Sequence, residues 1–426
     1  MVALLIDLTP LRVDPHYRRL WTGFTLSGIG TQLATTAIGL QVYELTGSSF
    51  SVGLVGIFAL VPLVLLGLYG GALVDAHDRR TVALLGGLLL WAAAILNTAQ
   101  AAWGNTNEWV LYGLVALSNA GFAVVSPARS AIYPRLLPAR LLPAANALSV
   151  VAMNAALTVG PLLAGFLVDL YGYTVTYGLD AVLFVAALWG ILSLPPIPPE
   201  VDVATARGRV PGLRSVLEGL RFLGTRPNVR MTFLADFCAM ILAHPRALFP
   251  AVAALALGGG ASTVGVLSSA IAVGAMLAML LSGPLGRVVH QGRAVVVSVA
   301  GWGASIAGFG VVVLGAGHLL DTTVALWLAV GCLGLAGAAD SVSAVFRTTI
   351  LQAATPDHLR GRLQGVFVVV VAGGPRLGDL VAGSLASAVP EGLAMVLGGA
   401  ACVVAVVLLA RLQARFLAYD ARDPQP

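Results

Sequence analysis

Residues 71–80 read Gly71-Ala72-Leu73-Val74-Asp75-Ala76-His77-Asp78-Arg79-Arg80. Two carboxylates, a His and two Arg are crowded into one turn between apolar runs at 52–74 and 82–103. Each run has about the 20 residues a helix needs to cross a hydrocarbon core. A helix is the only single segment that satisfies its own backbone there. The turn is therefore a charged loop at a membrane surface. The same rhythm continues through all 426 residues. Spans are expected at 20–43, 52–74, 82–103, 109–125, 148–168 and 174–194. Six more are expected at 231–257, 264–285, 294–316, 322–344, 366–389 and 393–412. The fold class is all-α integral membrane, with twelve transmembrane helices. The first segment is too long, and its flanks too charged, for a cleaved signal peptide.

Composition agrees. Hydrophobic residues make up 58% of the chain and charged residues only 10%, against roughly a quarter charged in a soluble domain. Such a chain cannot coat a globule with solvated groups, so a soluble enzyme, a disordered scaffold and a secreted disulfide protein are excluded together. All 24 basic residues are Arg. With the N-terminus cytoplasmic, every Arg except Arg246 and Arg376 falls in a cytoplasmic loop or tail. The excess of positive charge on one side places both termini in the cytoplasm. The net charge of +5 is better matched to anionic headgroups than to nucleic acid. Cys238, Cys332 and Cys402 lie singly within spans and form no metal or disulfide pattern.

The stretch Pro195–Arg230 interrupts the rhythm. It is rich in Pro, turns polar, and then sets Leu213, Leu217, Leu220 and Leu223 at helical spacing opposite Arg214, Glu218 and Arg221. This is a cytoplasmic linker ending in an amphipathic helix. The expected domains are a six-helix bundle at 1–196, the linker at 197–230 and a second six-helix bundle at 231–426. The halves also repeat. Arg129, Ile132, Pro138, Gly160, Ala164 and Gly165 recur at one constant offset as Arg347, Ile350, Pro356, Gly378, Ala382 and Gly383. Parallel six-helix halves of this kind are a known transporter architecture.

The turn 71–80 resembles the signature Gly-x-Leu-x-Asp-(x)3-Arg-Arg/Lys of the major facilitator superfamily, in the loop where that family has it. The resemblance implies a cytoplasmic gate of Gly71, Asp75, Arg79 and Arg80, joined by Arg129, Asp340 and Arg347. The small Gly71 lets helices approach, Asp75 can face a helix N-terminus, and the Arg pair supplies counter-charge. An ordinary charged turn is the plainer alternative. The fifth span carries Ala155-(x)4-Gly160-Pro161-Leu162-Leu163-Ala164-Gly165. It is similar to the Gly-(x)4-Gly-Pro-x-x-Gly-Gly motif of exporter branches, with Ala at two of the Gly positions. Gly160, Pro161 and Gly165 are thus an exporter motif by resemblance, or a close-packing face taken alone. The fourth span lacks the Arg found in many drug/proton antiporters.

Charges inside spans point to a pathway, because each is costly in lipid and must face a cavity or a partner. Arg376 and Asp379 sit mid-span, three residues apart on one helix face, where they can pair. His244 and Arg246 flank Pro245 midway through the seventh span. Asp236 and Asp340 lie nearer the cytoplasmic ends of the seventh and tenth. The candidate pathway is Asp236, His244, Arg246, Arg376 and Asp379, with Asp379, Asp236 and His244 able to carry a coupling proton.

The resemblance narrows further. Asp14-Pro15-His16-Tyr17-Arg18 before the first span looks like the enterobactin exporter group. So do Leu192–Pro199, the core Gly219-Leu220-Arg221-Phe222-Leu223, and Thr355-Pro356-(x)3-Arg360-Gly361-Arg362-Leu363-Gln364-Gly365. It implies a monomeric inner-membrane transporter, not an enzyme. Such a protein exports a siderophore-like small molecule in exchange for protons, with no cofactor or metal and with lipid as its only macroscopic partner. Multidrug or macrolide efflux is the alternative, although aromatics are only 7% and two mid-membrane Arg suit an anion better than a cationic drug. A membrane enzyme would need clustered His or acids, and the six His are scattered singly.

Overall fold

The computed structural model describes residues 7–198, 221, 223–353, 357–420 and 422. Their side chains are described except at 68, 70–72, 75, 284 and 357–370. The long helices are α1 (Pro15–Thr46), α2 (Ser49–Ala76), α3 (Arg79–Ala102), α4 (Glu108–Leu136) and α5 (Leu142–Leu192). After the linker come α6 (Pro227–Leu242), α7 (Ala261–Leu280), α8 (Gln291–Gly315), α9 (Thr322–Ala353), α10 (Asp357–Ala386) and α11 (Glu391–Leu412). Among the described residues, nine helices are long and apolar enough to cross a membrane.

α1 is the most polar of the long helices, and its hydroxyls explain how it stays helical. Thr25, Thr31, Thr35, Thr36 and Thr46 each donate to the carbonyl four residues back, at 2.7–3.0 Å. Hydroxyls folded onto their own backbone expose no unmet donor. Asp78 and Asn107 start α3 and α4 by accepting the backbone N–H of Thr81 and Trp109, at 2.9 and 3.0 Å. α5 is long enough for two spans and bends at Gly172, where φ is 75° and ψ −177°. Only a residue without Cβ takes that conformation cheaply. The expected fifth and sixth spans are therefore the two arms of α5, with the turn between them reduced to one glycine.

The chain clusters into two units, one of 1–41 and 58–212, the other of 42–57 and 213–426. In the first, α3 packs along α4 and α5. One buried cluster there joins Leu20, Val82, Ala128, Ile132, Ile191 and Ile197. In the second, α8 packs along both α9 and α11, α7 along α9, and α6 along α10. Leu85, Val182, Leu280 and Trp327 remain 63–74% exposed, as befits side chains that face lipid rather than water. Trp103 and Trp109 stand exposed at the end of α3 and the start of α4, the interfacial placement that amphipathic rings favour.

Gly160 shows how tightly the first unit is closed. A Cβ there would stand 2.6 Å from Gln32 Cβ and 2.9 Å from the Ile29 carbonyl oxygen. With Pro161 and Gly165 also buried, this face of α5 seats α1. Gly160→Val should cost about 1–3 kcal/mol by overpacking. Thermal unfolding in detergent or nanodiscs reads that as a lowered midpoint, and an unchanged midpoint would show that α1 does not rest on this face.

Candidate functional site

The seventh span is not the continuous helix expected at 231–257. α6 ends at Leu242, and Ala243 leaves helical geometry at φ −129°, ψ 34°. A short 3-10 turn, Arg246–Leu248, follows His244 and Pro245. The chain next makes one α-turn and a wider turn in which Leu257 N–H reaches back to the Val252 carbonyl at 3.0 Å. Pro245 has no N–H to give, which frees a carbonyl. The break is made tolerable by α8, where the Trp302 indole N–H donates to the Ala243 carbonyl at 3.2 Å.

Four expected pathway residues meet at this break. His244 is buried and its Nε2 lies 3.7 Å from Asp379 Oδ1. Arg246 and Arg376 both lie within electrostatic reach of Asp379, whose carboxylate also accepts the Ala247 backbone N–H. Arg376 does not turn simply onto its helix neighbour. Its guanidinium donates to the Ala372 carbonyl one turn back, at 3.1 Å. α10 comes this close because Gly378 faces Met240 and His244 without a side chain. His244 Nδ1 and Arg246 Nε have no hydrogen-bond partner among the described residues. The cluster thus holds two guanidiniums, one imidazole with a spare nitrogen and a single carboxylate.

Asp236 belongs elsewhere. It lies two turns before the break and is ion-paired with Arg347 of α9, whose other nitrogen reaches Asp340 Oδ1 at 3.2 Å. The loop count of Arg residues placed Arg347 outside the membrane. It is 8% exposed and continues α9 beyond the expected span, one guanidinium shared by two carboxylates. Asp236 is thereby set apart in space from the cluster at the break.

A family profile described as transmembrane secretion effector matches residues 6–426. The chain belongs to this family of major facilitator transporters. The secretion effector is 28% identical to the enterobactin exporter EntS of Citrobacter koseri over 95% of its own length and 94% of that protein. It is equally similar to EntS of Escherichia coli. Its fold is similar to the nucleoside transporter NupG, with TM-score 0.74, 13% identity and coverage of 93% and 100% of the two chains. A bacterial homologue of the iron transporter ferroportin, captured inward-facing, gives TM-score 0.66, 15% identity and coverage of 95% and 99%. The secretion effector is accordingly a multi-pass protein of the inner membrane and a transporter rather than an enzyme.

In this secretion effector the signature turn works partly through a residue the motif does not specify. Asp78 Oδ1 accepts the Thr81 N–H and hydroxyl, and Oδ2 accepts the Ile197 N–H at 2.6 Å. Arg79 N–H returns a bond to the Ile197 carbonyl, and its guanidinium donates to the Ala131 carbonyl at 3.1 Å. Arg80 donates to the Leu192 carbonyl at 2.9 Å. The turn therefore clamps the end of α5 and the chain beyond it. Arg129 lies over the Phe24 ring, 5.1 Å from its centroid. Gly71 and Asp75 lie in α2, and their side chains are outside the described residues, as is most of the expected amphipathic linker helix. An aspartate followed three residues later by Thr was the cue for Asp78, since that spacing makes a helix cap.

Two expectations follow from these contacts. Arg347→Met leaves buried Asp236 and partly buried Asp340 without their cation and should cost about 3–5 kcal/mol. Adding Asp236→Asn and Asp340→Asn should return much of that loss, and a triple variant as unstable as the single one would argue against charge as the cause. Burial pushes Asp78 up, but the Thr81 and Ile197 bonds and Arg80 outweigh it and hold the carboxyl below its ordinary 3.8. Its contribution is therefore complete above that value and is lost as pH falls through the lower, folded one. Asp78→Ala should lower stability by about 1–2 kcal/mol at neutral pH and flatten the acid limb of a melting-point against pH curve.

Proposed function

We propose that this secretion effector exports a small acidic molecule, a siderophore of the enterobactin type, across the inner membrane by alternating access with proton antiport. The observation that carries the reading is the cluster at the seventh-span break. Arg246 and Arg376, with His244 beside them, face one carboxylate, Asp379. Two fixed cations against one anion leave a site short of negative charge, and a catecholate supplies it. A Pro-interrupted helix is also where transporters of this architecture place substrate sites. The relatives named for enterobactin export support the substrate class.

In this reading the chain has twelve spans in two six-helix bundles, 1–196 and 231–426, joined by the cytoplasmic linker 197–230, with both termini cytoplasmic. The Arg347 bridge and the 71–80 turn serve as parts of the cytoplasmic gate. Among the three residues expected to carry the proton, Asp379 and His244 remain in the substrate cluster.

Inverted membrane vesicles containing the protein should accumulate enterobactin when acidified inside, and collapsing the proton gradient should abolish this. Uptake no greater than in protein-free vesicles removes the substrate, and uptake indifferent to the gradient removes the antiport. Arg246→Gln and Arg376→Gln each delete a charge-assisted contact worth about 1.5–3 kcal/mol. Each should weaken enterobactin binding roughly tenfold to a hundredfold, read by tryptophan quenching or calorimetry on purified protein.

A further inference from the structure

The first unit buries a carboxylate that the proposed mechanism leaves idle. Asp180 lies in the second arm of α5, 6% exposed, and its Oδ1 has no hydrogen-bond partner among the described residues. α1 lies directly against it, for a Cβ on Gly30 would stand 3.2 Å from Asp180 Cα. α1 carries no charged side chain between Arg19 and Glu44, and α3 carries none after Arg80. α4 has charges only toward its ends, at Glu108, Arg129 and Arg135, and its mid-helix Tyr112 is stacked on Phe58. On its own helix the nearest titratable group is Tyr177, one turn away, whose hydroxyl is committed to Gln41 at 2.8 Å. The other acid of α5, Asp169, is on the far arm.

Among the described residues, no cation therefore reaches Asp180 from the helices packed on it. Three other acids within helices contrast with it, since buried Asp236 and partly buried Asp340 hold Arg347, and partly buried Asp379 faces two guanidiniums. Ionising a carboxylate in an apolar interior with no cation beside it is costly, so an isolated one favours the neutral acid. From Tyr177, one turn away, a polar strip leads onward. Gln41 of α1 and Gln100 of α3 exchange hydrogen bonds at 3.1 and 3.2 Å, and Tyr177 joins them. These groups give entering water the partners it needs.

We propose that Asp180 is a proton-binding site of the first unit, holding a proton while buried and releasing it when the transport cycle wets the site. On release the carboxyl O–H breaks, the proton passes to water, and the carboxylate stays hydrated until it is reprotonated from the other side. The site's part in coupling rests on the antiport reading above; its protonation does not.

The test uses the purified full chain in proteoliposomes, with Asp180→Asn and Asp180→Glu. Infrared difference spectra taken across pH should show a protonated-carboxyl band that persists above the ordinary carboxylate range and is missing in Asp180→Asn. Gradient-driven enterobactin uptake should fall to the protein-free level in Asp180→Asn, while exchange at equal pH persists. Asp180→Glu should restore gradient-driven uptake with a displaced pH profile. A spectrum unchanged by Asp180→Asn, or full gradient-driven uptake in that variant, overturns the proposal. Should the wild type carry no enterobactin at all, the export reading fails alone, and the infrared band still decides whether Asp180 binds a proton. If Asp180→Asn does not fold, a band shifted by Asp180→Glu supports the assignment and an unshifted one overturns it.

Discussion

A polar group in hydrocarbon must find its partner inside the protein, because no water is there to supply one. Nearly every feature of this chain follows from that demand. It makes each apolar segment a helix, and it folds the hydroxyls of α1 back onto their own carbonyls. It sets the Trp302 indole against the carbonyl exposed by the break at Ala243. It also gives Arg347 two carboxylates. The helix that breaks at Ala243 does so beside a neighbour that donates to its freed carbonyl.

The same demand separates the charges into kinds. Arg347 is locked between acids on two helices, and such a bridge holds helices in register because breaking either contact strands a charge. The cluster of His244, Arg246, Arg376 and Asp379 is less closed, with one carboxylate for two guanidiniums. A substrate anion that completes that balance would be bound by what the protein lacks. Asp180 is a third kind, an acid without a cation, whose cheapest answer to burial is to hold a proton. Among the described residues, one chain thus carries a fixed bridge, a mixed cluster of cations around one carboxylate and an acid with no cation beside it.

Some of this is written in the local sequence. The lengths of the apolar runs, the Pro at 245 and 161, and the turn at 71–80 can be read without coordinates, as can the family itself. The pathway candidates His244, Arg246, Arg376 and Asp379 were legible because charge in a span is conspicuous. Asp180 is equally charged, but its meaning depends on what α1 and α3 fail to offer it, and no window of sequence contains that. Arg347 sits at the end of an apolar run, where an exposed loop arginine and a buried one look alike in sequence. Asp78 occupies an unspecified place in the signature, and its bond to Ile197 spans more than a hundred residues.

By itself the sequence determined that this is a polytopic helical membrane protein, because hydrocarbon thickness and the cost of charge act on each segment separately, and its signature turn marked the transporter family. Only the tertiary structure decided the partners: that Asp236 pairs with Arg347, that Asp379 meets His244, and that Asp180 meets no cation. Pairing is a property of helices brought together, and residues far apart in the chain become neighbours only when their helices pack.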